Sequence, residues 1–154
     1  MGLEIERKFL VAGAGRKGLA AGVRYRQGYL SRSGGPTVRV RIAGDEGFLT
    51  VKGAAHGLAR AEFEYAIPVE DAAAMLDDLC EKTLVEKTRY RIPFGAHILE
   101  VDEFSGDNAG LVLAEVELRS ADEEPDRPAW VGREVSSDPR YFNSNLAKRP
   151  FTTW

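Results

Sequence analysis

The sequence predicts an α+β protein in which about eight strands close into a β-barrel with a few helices packed outside, and three observations point to it. Charged and apolar residues alternate along nearly every candidate strand, so one face of the sheet is charged across its width. Turn-forming runs such as Gly44-Asp45-Glu46-Gly47 join neighbouring strands as hairpins. A flat sheet with its charged face to water and its apolar face under the helices also accounts for the alternation, but the candidate helices are too short to cover an open sheet of this size, and closure into a barrel removes its exposed edges.

Residues 3–11 open the chain as a strand. Side chains of an extended strand point alternately to its two faces, so Glu4, Glu6 and Lys8 share one face and Ile5, Arg7 and Phe9 the other. Residues 12–22 form a small-residue stretch that reads as a loop or a weak helix. Its Gly13, Gly15 and Gly18 match a dinucleotide-loop spacing, but no acidic residue follows at the required distance and no βαβ unit is present. Residues 23–31 alternate and carry tyrosines, which predicts a second strand ending at the Gly34-Gly35-Pro36 turn.

Residues 37–42 and 48–52 then form a hairpin, with Arg39 and Arg41 on one face and Lys52 sharing a face with Thr50 and Phe48. The next strand, 58–67, places Arg60, Glu62 and Glu64 together and stops at Pro68. Glu70 and Asp71 precede a helix over 72–82, whose Met75, Leu76, Leu79 and Cys80 form a core-facing stripe and whose Lys82 lies near its end. Residues 84–92 put Lys87, Arg89 and Arg91 on one face, 98–104 do the same for Glu100 and Asp102, and 111–119 for Glu115 and Glu117. A Pro/Asp/Glu-rich segment around Trp130 leads to Asp138-Pro139, which opens a C-terminal helix with Asp as N-cap and Pro at its first position.

Composition narrows the function classes. A chain of 154 residues, 44% apolar and 29% charged, suits one globular domain spanning 1–154 with a real core. The net charge of -3 offers no global field for nucleic acid or anionic membranes. Cys80 is the only cysteine, so no internal disulfide or thiolate metal cage forms, and no apolar run reaches the length of a membrane span. Charge begins at Glu4, where a signal peptide needs an apolar run, and the expected location is the cytoplasm.

A lumen lined by both signs of charge has a chemical rationale. Clustered carboxylates suit Mg²⁺ or Mn²⁺, which prefer oxygen ligands, and clustered Arg and Lys suit phosphate. Together they complement a metal-bound polyphosphate, and phosphoryl transfer asks for little beyond positioning and charge neutralisation.

The ordered set Glu4-x-Glu6-x-Lys8, Gln27-Gly28-Tyr29-Leu30, Arg39-x-Arg41, Lys52, Glu62-x-Glu64, Lys87-x-Arg89, Asp102 and Glu115-x-Glu117 resembles the CYTH superfamily, the triphosphate tunnel metalloenzymes. The likeness extends through Gly132-Arg133-Glu134-Val135 and residues 141–146 and is strongest to the small stand-alone bacterial members. It implies a closed eight-stranded antiparallel β-barrel, a tunnel that binds a triphosphate with Mg²⁺ or Mn²⁺. By resemblance Glu4, Glu6, Glu115 and Glu117 are metal ligands, with Asp102 a candidate ligand for a second metal or for the attacking water. Lys8, Arg39, Arg41, Lys52, Lys87 and Arg89 hold phosphates, and Lys87 or a metal-bound hydroxide assists deprotonation of that water. Glu62 and Glu64 either orient the basic residues or contact metal, and Tyr29 lines the tunnel or packs.

The expected activity is hydrolysis of inorganic tripolyphosphate to pyrophosphate and phosphate. The alternatives are a class IV adenylate cyclase, a thiamine or nucleoside triphosphatase, or a polyphosphate-binding module without turnover. The expected partners are a small-molecule triphosphate and a second copy of the chain, as a homodimer, with no nucleic acid and no membrane. Cys80 has no histidine placed to activate it, His56 and His97 lack metal-ligand spacing, and Trp130 and Trp154 are expected to pack outside the barrel.

Overall fold

The computed structural model describes residues 2–31 and 35–154. Its strands are β1 (Gly2–Val11), β2 (Gly22–Ser31), β3 (Thr37–Ala43), β4 (Glu46–Lys52), β5 (Ala59–Ile67), β6 (Val85–Phe94), β7 (His97–Ser105), β8 (Val112–Glu117) and β9 (Val131–Glu134), and its helices are α1 (Val69–Asp78) and α2 (Asn143–Lys148). Antiparallel pairing runs β5-β4-β3-β2-β6-β7-β8-β1, and β1 returns to β5 from Gly2↔Glu62 to Ile5↔Ala59. That last ladder closes an eight-stranded barrel. The short β9 lies against the far end of β1, opposite Phe9 and Val11, on the edge that β5 has by then left.

Alternation decides what faces where. Directly paired residues of an antiparallel ladder project to the same side, so the pairs Lys8↔Glu115, Glu100↔Glu115, Arg89↔Asp102, Tyr25↔Lys87, Gln27↔Arg41, Arg39↔Thr50 and Lys52↔Glu62 carry one inward face around the ring. The outward face is covered in pieces. Phe9, Ile92, Leu99, Val101, Ala114 and Val116 pack beneath Trp130 and Ala20, which belong to the connecting segments, and Val40 packs under Ala72, Leu76 and Cys80 in and just beyond α1. Gly28 permits this second contact, because a Cβ there would stand 2.6 Å from Leu84 Cδ2 and 2.9 Å from Cys80 Cβ.

A third cluster lies inside. Tyr29, Val85, Phe104 and Leu113 belong to the inward rows, and they pack with Tyr141 and with Leu146 and Ala147 of α2. Here the inward row of β1 changes from Lys8 to Leu10, and Leu10 pairs with Leu113. One end of the barrel is therefore an apolar plug closed by α2, and the charged rows occupy the remainder.

Of the two readings of residues 12–22 the loop is the one formed, as turns and bends. Two local expectations differ from the structure. Helix α1 begins directly after Pro68 and stops at Asp78 rather than 82, with Lys82 Nζ folding back to donate to the Leu76 carbonyl at 2.8 Å. Asp138 does cap, accepting from the Arg140 N–H, but over a single 3₁₀ turn, Pro139–Tyr141; extended backbone at Phe142 separates it from α2. The Gly34 part of the expected turn lies outside the described residues. Among the described residues no helix is long and apolar enough to cross a membrane.

Candidate functional site

The inward rows enclose a cavity of about 320 Å³ whose walls include Glu4, Glu6, Lys8, Arg39, Arg41, Lys52, Glu62, Glu64, Lys87, Arg89, Glu115, Glu117 and Tyr29. Of the candidate site residues only Asp102 is missing from these walls; it is buried against Arg89 and against Lys87, itself fully buried within the wall. Tyr29 does both things expected of it, packing in the inner apolar cluster and bordering the cavity. Tyr25, Arg60, Arg91, Glu100, Phe142, Asn143 and Ser144 also line it. Arg60, Arg91 and Glu100 were visible in sequence as members of charged faces, and Tyr25 by its parity. Asn143, within the 141–146 stretch of the family likeness, has no strand parity to place it and reaches the site from the far end of the chain.

Around the ring the charges segregate. Carboxylates stand on β7 (Glu100, Asp102), β8 (Glu115, Glu117), β1 (Glu4, Glu6) and β5 (Glu62, Glu64), which are consecutive neighbours. Cations stand on β4 (Lys52), β3 (Arg39, Arg41) and β6 (Lys87, Arg89, Arg91), with the neutral Tyr25 and Gln27 of β2 among them. Lys8 and Arg60 are the exceptions.

Ion pairs bridge the two walls. Lys52 Nζ lies 3.1 Å from Glu4 and 3.2 Å from Glu62, and Lys8 Nζ lies 3.2 Å from Glu115 and donates to the Tyr141 carbonyl at 2.9 Å. Arg89 grips Asp102 with two hydrogen bonds, Nε to Oδ1 at 2.7 Å and Nη2 to Oδ2 at 2.8 Å, and reaches Glu115 at 3.2 Å. Lys87 Nζ donates to Asp102 Oδ2 at 2.7 Å and to Asn143 Oδ1 at 3.1 Å. Arg39 Nη2 is held by Thr50 and Glu64, while its buried Nε has no hydrogen-bond partner among the described residues.

Titration behaviour records where this pairing is incomplete. Burial, with Glu115 and Glu4 close by, pushes the Glu6 carboxyl up to about 8. Burial also raises Glu4, against the opposing pull of Lys52. On the other wall, burial together with Arg39 and Arg89 brings the Arg41 guanidinium down to about 10, and burial helped by Arg89 and Arg41 brings Lys87 down to about 7, although Asp102 resists. Burial would raise Glu115 and Asp102 as well, yet Lys8 and Arg89 hold the first well below the usual carboxylate range, and Arg89 and Lys87 lower the second. The acidic wall thus retains unmatched negative potential and the basic wall unmatched positive potential.

The donor chemistry fits a hard divalent cation, since the acidic wall offers carboxylate oxygens and proton-holding Glu6 marks a place where positive charge is wanted. Among the described residues, however, no three His, Cys, Asp or Glu side chains are gathered closely enough to hold an ion as they stand. Glu4 and Glu115 are engaged with Lys52, Lys8 and Arg89 instead.

Comparison with known proteins agrees with this picture. Residues 2–151 match the family described as CYTH domain. The chain is 52% identical over 151 residues to an inorganic triphosphatase of Acetivibrio thermocellus, covering 98% of this chain and 97% of that protein. It is 43% identical over 152 residues to an inorganic triphosphatase of Nitrosomonas europaea, covering 94% and 96%. A crystal structure of an inorganic triphosphatase superposes with a TM-score of 0.69 at 37% identity, covering 93% of this chain and 96% of that one.

Proposed function

Because this chain belongs to the CYTH domain family, we propose that it hydrolyses inorganic tripolyphosphate to pyrophosphate and phosphate in its barrel lumen with the help of Mg²⁺ or Mn²⁺. The observation that carries this reading is the segregated lumen, in which a carboxylate wall with a proton-holding Glu6 faces a cationic wall with a depressed Arg41. A polyanion that carries a divalent cation satisfies both walls at once. The likeness to two inorganic triphosphatases supports the choice of substrate.

In this reading Glu4, Glu6, Glu115 and Glu117 would hold the cation, which would supply charge neutralisation and Lewis acidity there. Arg39, Arg41, Lys52, Lys8 and Arg89 bind the phosphate oxygens, guanidinium groups as bidentate forks and ammonium groups as point charges. Glu62 and Glu64 orient Lys52 and Arg39, to which they are already paired. Lys87, brought down to about 7, is partly neutral near neutral pH and takes a proton from the attacking water. The water oxygen bonds to the terminal phosphorus, the bridging P–O bond breaks, and pyrophosphate leaves from the cationic wall. Asp102 acts from behind, holding Lys87 and Arg89 in place.

The test is phosphate release from tripolyphosphate, ATP and thiamine triphosphate with Mg²⁺, with Mn²⁺ and with chelator, assaying cyclic AMP from ATP in the same reactions. Metal-dependent release highest from tripolyphosphate is expected; cyclic AMP, or tight binding without product, would overturn the reading. Lys87→Met should lower kcat far more than it weakens binding, and a loss of affinity alone would remove Lys87 from its role. One closed barrel supports taking 1–154 as a single domain. Leu3, Phe63 and Tyr65 leave an uncovered apolar strip outside β1 and β5, which supports a homodimer, and a monomer mass in light scattering would refute it. A cytoplasmic location fits the single cysteine, and cell fractionation tests it.

A further inference from the structure

Asn143 comes from the C-terminal segment, outside the barrel's strands, yet its Oδ1 accepts from Lys87 Nζ at 3.1 Å and from Gln27 Nε2 at 3.3 Å. Gln27 in turn accepts from Arg41 Nε at 2.8 Å, so its amide orientation is fixed, and Gln27 and Lys87 are both fully buried. The terminal nitrogen of lysine has three tetrahedral positions beyond its carbon. Asp102 Oδ2 occupies one at 2.7 Å and Asn143 Oδ1 a second. Only the third, N–H or lone pair, is uncommitted, on a side chain that is fully buried within the wall of the lumen.

We propose that Asn143 is a positioning residue for the reaction, acting through Lys87: with Asp102 it fixes the rotation of the Lys87 amine, so that the remaining position faces the substrate. Asp102 alone would set the rotation but leave the neutral amine two positions for its lone pair; a second acceptor takes the other N–H and assigns the lone pair to the remaining one. The contact is not needed to dock the segment. Leu146 and Ala147 bury themselves in the inner apolar cluster, Asn145 Nδ2 donates to the Pro139 carbonyl at 2.8 Å, and the Phe151 N–H donates to Asn108 Oδ1 at 2.8 Å. The inference rests on the role given to Lys87 above, and it makes the C-terminal segment part of the reaction centre.

Two measurements on the whole chain separate this claim from the claim of activity. In steady-state tripolyphosphate hydrolysis, Asn143→Ala should lower kcat about 10- to 100-fold, as expected for a misplaced reacting group, with KM nearly unchanged. Asn143→Asp keeps an acceptor oxygen in place but adds a negative charge that holds the proton on Lys87, so it should restore most of kcat only at pH above the wild-type acid limb, while raising KM. In a Lys87→Met background Asn143→Ala should cost nothing further, and a second full loss there would overturn action through Lys87. Independently of turnover, the ¹⁵N signal of the Lys87 amine in substrate-free protein, assigned by its disappearance in Lys87→Met, should shift or broaden in Asn143→Ala while that of Lys8 stays. An unchanged Lys87 signal overturns the proposal whether or not the enzyme turns over. A wild-type protein that leaves tripolyphosphate intact would overturn the activity, and this spectrum would still decide the positioning.

Discussion

Asp102 is where the site and the stability of the fold meet, and Asp102→Asn is the substitution whose cost can be worked out furthest. Both of its oxygens are committed, Oδ1 to Arg89 Nε at 2.7 Å and Oδ2 to Arg89 Nη2 at 2.8 Å and Lys87 Nζ at 2.7 Å, at a residue 1% exposed. An amide has one acceptor oxygen, so its NH₂ must face a donor. Breaking a buried pair by removing one partner costs about 3–5 kcal/mol. Two features place the expected loss at the lower end. Arg89 keeps Glu115 at 3.2 Å and Glu100 at 3.3 Å. Lys87, already brought down to about 7 by burial against the pull of Asp102, falls further without that pull and escapes as the neutral amine. A loss of about 3 kcal/mol at this chain length lowers Tm by roughly 6–12 °C. Circular dichroism melts of metal-free protein at neutral pH, with urea titration to confirm an unchanged m-value, read it directly. If Lys87 is the base, the acid limb of kcat in saturating metal lies near pH 7 and moves to lower pH in the variant. A Tm within about 2 °C of wild type, well under the shift for 3 kcal/mol, would refute the account of Asp102 as the brace of the cationic wall.

Metal-free stability should depend on pH with a worked sign. The Glu6 carboxyl is raised to about 8, so its contribution is fully present below its ordinary value of 4.5 and is lost as pH rises through 8. Lys87 is lowered to about 7, so the unfolded chain binds its proton more tightly and stability rises from there toward 10.5. Between pH 5 and 7 Glu6 titrates against its raised value and Glu4, also raised, acts in the same direction, giving a downward slope of at most about 1.4 kcal/mol per pH unit for each group, reduced because Glu6 is only partly buried. Urea denaturation in chelator should show this slope and Glu6→Gln should flatten it; an equal slope in the variant would assign it elsewhere. Gly28→Ala forces a methyl to within 2.6 Å of Leu84 and 2.9 Å of Cys80 and should cost about 1–3 kcal/mol by overpacking; no change in the urea midpoint would mean that the segment after α1 yields freely. Asn108→Ala removes the acceptor for the Phe151 N–H at a site 1% exposed. It should cost about 1–3 kcal/mol and speed hydrogen exchange over residues 146–154, and unaltered exchange there would argue against this tether.

What the sequence reveals and what it withholds have the same origin, the period-two geometry of strands. That period places Glu4, Glu6, Arg39, Arg41, Lys87, Arg89, Glu115 and Glu117 on one surface before any tertiary contact is known, and they do share one cavity. It gives a direction but no depth. Asp102 obeys the same alternation as Glu100, yet it lies behind the cavity wall, because the residue directly across the ladder is Arg89 and the pair closes on itself. Nor does alternation mark where a lumen ends: Leu10, Phe104 and Leu113 continue the inward rows of Lys8, Asp102 and Glu115, and only their packing with α2 turns them into a plug. Asn143 lies in the stretch that shares the family likeness, but no periodicity points it to the site, since its partner Lys87 lies 56 residues away. The segregation of charge is hidden for a further reason. Along the chain acidic and basic strands alternate irregularly, β1 acidic, β3 and β4 basic, β5 acidic, β6 basic, β7 and β8 acidic. The ring joins β2 to β6 and closes β5 onto β1, which brings the acidic strands together on one side and the basic ones on the other. A lumen that reads as mixed in sequence is therefore divided in space, and it is strand order, not composition, that turns a set of charges into opposing walls complementary to a cation and a polyanion.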